Sequence, residues 1–381
     1  MIENRYKVLV GNCLDSLHEL EDESIDTCIT SPPYYGLRDY GTAEWEGGDP
    51  NCEHTLSMNT KWNDPKRGKN VLRPEVAHRG GKSNACLNCG AKRIDEQIGL
   101  EDTPEQFIEN LVEVFRLVKR KLKTTGTLWL NIGDSYWGGK GRSGAKSAEI
   151  QDARTDSLNM GYHNALGGKG RTRPTDKIHK EIKPKDLIGI PWMLAFALRA
   201  DGWYLRQDII WNKPNCMPES VKDRCTKSHE YIFLLSKSKK YYYDYEAIKE
   251  PVKDNWGTRN RSNGKYHNEG TGLTPHSGLE KNYTTKNKRS VWTVSPKPYR
   301  EAHFAVFPPD LIEPCILAGC PTGGVVLDPF GGSGTTAGVA IKNNRKAILC
   351  ELNENYISLI DERIASITNG WRKGQLTLED F

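Results

Sequence analysis

The chain has 381 residues and a formal net charge of +5 at neutral pH. That length can bury a large core in one elaborated domain or two, while no apolar run is long enough for a membrane span or an export signal, so neither membrane insertion nor secretion is expected. Ten cysteines lack the spacing of a small disulfide framework and are expected to be reduced, buried or bound to metal.

Residues 6–10 read as a short apolar strand, after which Gly11-Asn12-Cys13 turns into a helix ending near Leu20. Asn12 is then either a simple turn residue or a polar group at the C-terminal edge of a sheet. Residues 25–30 alternate and are β-branched, the pattern of a strand. That strand runs into Ser31-Pro32-Pro33-Tyr34 and must end there, because each proline fixes its own φ and lacks an N–H. The product is a stiff corner with carbonyls unused by a sheet, a serine at its start and an aromatic at its end. Such a corner can stack a planar base while accepting hydrogen bonds from its exocyclic amine; it can also be a plain proline turn.

Residues 37–100 lose all periodicity. A loop of that length inside a compact domain needs a reason. The segment carries Cys52-Glu53-His54 and Cys86-Leu87-Asn88-Cys89-Gly90. Two tight ligand pairs suit a tetrahedral Cys₃His zinc site made by Cys52, His54, Cys86 and Cys89. A structural Zn²⁺ would supply folding energy that so poor a core lacks. Four unrelated residues are the competing reading.

Pattern returns at Thr103-Pro104, an N-cap with proline in the first turn, and Phe107, Leu111, Val114, Phe115 and Val118 fall on one helical face. Gly126 is expected to begin the turn into a buried strand at 127–132, which ends in Gly133-Asp134. Residues 138–185 carry eleven Lys and Arg against five Asp and Glu. That balance suits either a solvated loop or one that grips a phosphate backbone. A helix starting at Ile190 and a strand at 203–211 follow. Residues 230–235 and 241–245 read as a hairpin around Ser236-Lys237-Ser238-Lys239-Lys240. Residues 250–300 are again basic, with aromatics among the amides, a composition that fits nucleic-acid contact and many ordinary surface loops alike. An amphipathic helix near 309–318 precedes a buried strand at 325–327.

That last strand enters Asp328-Pro329-Phe330-Gly331-Gly332-Ser333-Gly334-Thr335-Thr336, with a helix after it. Strand, glycine-rich turn and helix make a nucleotide-binding corner; without a lysine after the last glycine it is not a P-loop. Glu351 ends the next strand, twenty residues after Gly331, where a dinucleotide fold places its ribose-binding acid. A bound adenosine is expected.

Thr30-Ser31-Pro32-Pro33-Tyr34 taken with Asp328-Pro329-Phe330-Gly331-Gly332-Ser333-Gly334 resembles the amino-methylating DNA methyltransferases, which modify the exocyclic nitrogen of adenine or cytosine. Catalytic motif first and cofactor motif last is the order of the β class. Trp211-Asn212-Lys213-Pro214-Asn215 and His303-Phe304-Ala305-Val306-Phe307-Pro308 are weaker similarities. The resemblance implies a Rossmann-like class I α/β sheet with helices on both faces, elaborated by insertions. It divides the chain into core segments at 1–36, 101–137, 186–249 and 301–381, the zinc insertion at 37–100, the basic loop at 138–185 and a target-recognition region at 250–300.

It also implies roles. Ser31 and the carbonyl of Pro32 accept from the target amine, Pro33 stiffens the corner and Tyr34 stacks on the base. S-adenosylmethionine is held by Asp328, Phe330, Gly331, Ser333, Gly334, Thr335 and Glu351, with Asn12, His303 and Phe307. Double-stranded DNA is the partner, gripped by Lys169, Arg171 and Arg173 and read by Arg259, Arg261 and Asn263. No catalytic cysteine is needed, so Cys13 and Cys28 are expected in the core. A homodimer and a separate cognate restriction endonuclease are compatible with this reading, as is a cytoplasmic, bacterial or phage-encoded protein acting on intracellular DNA. Serine at the first corner position leans towards cytosine N4, with adenine N6 as the alternative. The rival class is a catalytically inactive, zinc-containing DNA-binding module, and RNA or a protein amide is a further substrate option.

Overall fold

The structure is a computed structural model that describes residues 5–37, 42–54, 62–63, 70–71, 85–86, 88–138, 174–176, 179–252, 284–296 and 306–368. Its centre is an eight-stranded sheet built from β1 (Tyr6–Val10), β2 (Ile25–Thr30), β3 (Leu122–Ile132), β4 (Tyr204–Asn212), β5 (His229–Ser236), β6 (Val291–Thr293), β7 (Val325–Asp328) and β8 (Lys346–Glu351). The spatial order is β1-β8-β7-β2-β3-β5-β4-β6. Every neighbouring pair is parallel except the two that β5 makes, with β3 and with β4.

Helices α1 (Cys13–His18), α2 (Pro104–Lys121) and α3 (Ile190–Ala200) cover one face. Helices α4 (Pro309–Gly319), α5 (Thr335–Lys342) and α6 (Ile357–Ile367) cover the other. The period of two along β3 divides its side chains accordingly. Leu128, Leu130 and Ile132 enter the first core, and Trp129 enters the second. A sheet covered on both sides needs strands apolar on both faces, and residues 127–132 are all buried. Among the described residues no helix is long and apolar enough to cross a membrane.

The local signals explain the best-formed helix. Thr103 Oγ1 accepts from the Gln106 amide at 3.3 Å, Pro104 sits in the first turn, and Lys119, Arg120 and Lys121 fill the last. Phe107, Leu111, Val114, Phe115 and Val118 are fully buried. Each contributes roughly 1.5–3 kcal/mol of apolar transfer.

Two expectations fail here. Residues 241–245 form no strand, so there is no hairpin around residues 236–240; the antiparallel partner of β5 is β4. The amides of Tyr242 and Asp244 donate instead to the carbonyls of Thr125 and Ala318, so the segment runs past the sheet rather than along it. Gly126 also lies inside β3, not before it. Ile25 pairs with Leu122 but Thr27 pairs with Thr127, so the strand carries an irregularity there and continues.

Candidate active site

The C-terminal ends of the parallel strands converge on one edge, and the reversed β5 brings its N-terminal end to the same edge. In an open α/β sheet this is where ligands bind. A cavity of about 450 Å³ lies along it. Because β2 stands between β7 and β3, the proline corner divides the cavity wall. Gly11, Phe330, Gly332 and Glu351 line it on the side of β1, β7 and β8, and Asn131, Lys213, Lys227 and Glu230 line it on the side of β3, β4 and β5.

The corner itself is Ser31 to Tyr34, all four residues lining the cavity. Tyr34 is half-buried and its hydroxyl donates to Glu230 Oε2 at 2.7 Å. Asn131 Nδ2 donates to the Tyr231 carbonyl at 3.1 Å and to the same Glu230 oxygen at 3.3 Å. Lys213 pairs with Glu230 Oε1. Its ammonium lies 4.1 Å from the centre of the Trp211 ring. Gly133 lets the tyrosine approach: a Cβ there would stand 2.6 Å from Tyr34 Cε2.

The glycine loop leaves β7 at Asp328, whose side chain is 1% exposed. Its carboxylate accepts from Thr30 Oγ1 at 2.6 Å, Thr336 Oγ1 at 2.6 Å and the Phe330 amide at 3.1 Å. Burial pushes this carboxyl up to about 7, against the pull of those three bonds. Glu351 also sits at about 7, raised by burial and held down in part by the amides of Asn353 and Gly332. Those amides donate to it at 2.9 and 2.7 Å.

The cradle suits S-adenosylmethionine. Gly11 and Gly332 both have positive φ, and a Cβ at Gly11 would meet nothing within 4 Å, so bare backbone faces open space. Ser333 Oγ is buried with no hydrogen-bond partner among the described residues, and Ser333 lines the same cavity. An apolar ring, a carboxylate and an unsatisfied hydroxyl are what an adenosine with free ribose hydroxyls would use.

Other expected cofactor residues stand in different relations to the cavity. Asn12 caps α1, its Oδ1 accepting from the Leu14 amide at 3.0 Å and its Nδ2 donating to Glu96 at 3.2 Å, while it still lines the cavity. Phe307 and Thr335 line it too. A Cβ on Gly331 would stand 2.9 Å from Leu349 Cβ, so the loop lies close on β8 there, and Gly331 also lines the cavity. A Cβ on Gly334, at φ +83°, would stand 2.8 Å from Ile360 on α6. Gly334 is thus a packing glycine and does not line the cavity. Cys13 and Cys28 are in the core as expected, and burial pushes the Cys13 thiol up to about 12. His303, Lys169, Arg171, Arg173, Arg259, Arg261 and Asn263 lie outside the described residues.

Sequence reasoning did not single out Glu230, Asn131 or Lys227. The available signal was Asn131, a polar residue in the apolar run 128–132. Lys227 is mostly buried on the cavity wall, donates to the Asp134 carbonyl at 2.8 Å and has its ammonium pulled down by burial. Asp134 itself caps α3, accepting from the amides of Gly189 and Ile190 at 3.0 and 3.2 Å.

The second cluster lies in the insertion, whose ends pair as a small ladder of Glu44–Glu46 with Lys92–Ile94. Two other short pieces, Trp62–Asn63 and Asn70–Val71, pair with each other. Cys52 Sγ is 3.8 Å from Cys86 Sγ, and Cys89 Sγ is 3.3 Å from His54 Nδ1. All four ligand atoms lie within 4.8 Å of one another. A tetrahedral ion with Zn–S of ~2.3 Å separates two sulfurs by about 3.8 Å, so the spacing fits Zn²⁺.

Comparison with known proteins agrees with this architecture. The family model for DNA methylases of the N6/N4 type matches residues 25–362. The Type II methyltransferase M.SmaI of Serratia marcescens is 42% identical over 94% of this chain and 90% of its own length. M.Cfr9I of Citrobacter freundii is 40% identical over 93% of this chain and 86% of its own. The solved PvuII DNA methyltransferase, cytosine-N4-specific by name, covers 96% of this chain and 94% of its own with a TM-score of 0.50. At 15% identity that likeness establishes the fold alone. Fold and site thus define an S-adenosylmethionine-dependent enzyme that methylates an exocyclic amine of DNA. The chain belongs to the N6/N4 DNA methylase family.

Proposed function

We propose that this enzyme methylates N4 of cytosine within a specific sequence of double-stranded DNA. The observation that carries the choice of base is Ser31 at the first position of the corner, where the family's adenine enzymes lean towards aspartate. The N4 specificity in the name of the PvuII enzyme supports it. The target cytosine leaves the helix, since its amine is out of reach in the stack. Ser31 Oγ and the Pro32 carbonyl accept from the two amine hydrogens and orient the nitrogen lone pair out of conjugation, an effect of alignment. Tyr34 packs on the base. When bound, S-adenosylmethionine supplies an electrophilic methyl on a sulfonium. Glu351 accepts from the ribose hydroxyls, Phe330 packs on the adenosine, and Gly11 and Gly332 allow close backbone approach. Digesting product DNA to nucleosides and weighing the modified one tests the choice of base: N4-methylcytosine supports it and N6-methyladenine refutes it.

In the same reading Cys52, His54, Cys86 and Cys89 hold one structural Zn²⁺. Four protein ligands leave no open position, so the ion takes no part in methyl transfer. Residues 138–185 grip phosphates through Lys169, Arg171 and Arg173, which carry no sequence information there. Arg259, Arg261 and Asn263 in 250–300 read base edges. Elemental analysis of protein purified without chelator tests the metal, and its absence would refute the site.

A further inference from the structure

We infer that Glu230, fixed by Lys213 and Asn131, is the positioning residue that sets the angle of Tyr34 against the target base. The inference rests on reading Tyr34 as the group that faces the base. Pro33 restricts the backbone on its N-terminal side but leaves both side-chain torsions of Tyr34 free. Something else must select one orientation. The hydroxyl donates to Glu230 Oε2 at 2.7 Å and makes a longer contact with Asn131 Oδ1 at 3.4 Å.

Glu230 is itself fully engaged. Oε2 accepts from Tyr34 and from Asn131, and Oε1 accepts from Lys213. The Lys213 ammonium rests on the Trp211 ring, and Trp211 Nε1 is tied to the Val294 carbonyl at 2.8 Å. The tyrosine hydroxyl is thus linked through one carboxylate to β3, β4, β5 and the segment after β6. A half-buried ion pair is a weak source of stability, because desolvation offsets its Coulomb energy. The side chains of Lys213 and Glu230 are 20% and 16% exposed, on the wall of the catalytic cavity. Orientation of the ring is the function that this placement serves.

The test is a double-mutant cycle on the full-length enzyme, with Tyr34→Phe, Glu230→Ala and the two together. Misplacing a substrate-facing group by about 1 Å costs up to ~100-fold in rate, so each single variant should lose roughly ten- to a hundredfold in kcat. The double variant should be no worse than the poorer single one, since both remove one interaction. Glu230→Gln keeps an acceptor oxygen and should return to within about threefold of wild type. Calorimetric affinity for S-adenosylmethionine should be unchanged throughout. DNA with 2-aminopurine at the target position should show a changed fluorescence in Glu230→Ala, because the extruded base then stacks differently. Lys213→Met with Glu230→Gln removes both charges and separates loss of the pair from loss of folding, read by thermal melting. Multiplicative losses in the double variant, or Glu230→Gln as poor as Glu230→Ala, would overturn the assignment. Wild-type turnover in Tyr34→Ala would overturn the reading of Tyr34 itself, and the positioning role with it.

Discussion

Thr30 donates its hydroxyl to Asp328 at 2.6 Å, across 298 positions of sequence. Thr30 is the residue before the proline corner, and Asp328 is the first residue of the glycine loop. One bond therefore ties the proline corner to the glycine loop. Both side chains are almost fully buried, at 0% and 1% exposure, so water cannot replace either partner.

Thr30→Val keeps the shape and removes that donor. The buried carboxylate then has one bond fewer, a loss of about 1–3 kcal/mol. Urea unfolding should show that loss, and turnover should fall as the corner and the loop become less tightly linked. Stability and turnover both equal to wild type would show that the tie is dispensable.

Asp328 and Glu351 give the apoprotein a defined pH dependence. Both carboxyls are raised to about 7, from 3.8 and 4.5. Between those values the folded state holds protons that the unfolded state has released. Unfolding free energy should therefore fall as pH rises through this window and level off above about 7. Ribose hydroxyls donating to Glu351 favour its ionised form, so cofactor binding should release protons and weaken as pH drops below about 7. Calorimetry on either side of neutrality checks this, and Glu351→Gln should abolish the pH dependence while binding more weakly. Affinity independent of pH in the wild-type protein would contradict the role of Glu351.

How far the sequence told this story depends on distance along the chain. The corner, the glycine loop and α2 were legible because each is written in consecutive residues: two prolines, a glycine run, an N-cap with a periodic apolar face. The Tyr34–Glu230–Lys213 network was not, since its members meet only through the β3–β5–β4 pairing. The misread hairpin has the same origin. Residues 241–245 are rich in tyrosine and suit a strand, but tertiary hydrogen bonds to Thr125 and Ala318 take their amides. That Leu349 would meet any side chain at Gly331 was likewise hidden, because the two residues meet only through the packing of the loop on β8.

If Cys52, His54, Cys86 and Cys89 hold zinc as proposed, its removal should reach the cavity through Gly99. Its carbonyl accepts from the Gly36 amide at 2.8 Å, and a Cβ on it would stand 3.3 Å from Pro33 Cβ. Gly99 thus leans on the proline corner. Chelation, or Cys86→Ser, should release one zinc, lower the melting temperature and reduce turnover, and re-added zinc should restore all three after chelation. Full activity in metal-free protein would separate the cluster from the corner.

The two basic segments should behave differently. Neutralising Lys169, Arg171 and Arg173 together should weaken binding to all DNA sequences and flatten the salt dependence by about one unit per lost phosphate contact. Changes at Arg259, Arg261 and Asn263 should alter which sites are methylated. Binding titrations over a salt series, with methylation mapping of product DNA, compare them. An altered site preference after the first set of changes would reverse the assignment.

The proposed reaction transfers one methyl from S-adenosylmethionine to N4 of cytosine at the Ser31 corner. The most direct measurement incubates purified enzyme with DNA and isotopically labelled S-adenosylmethionine, then digests the DNA to nucleosides and identifies the labelled one by mass. Label should appear in N4-methylcytosine, and none should appear with Ser31→Ala, whose cofactor affinity should stay at the wild-type level. Label in N6-methyladenine, or undiminished transfer by Ser31→Ala, would contradict it.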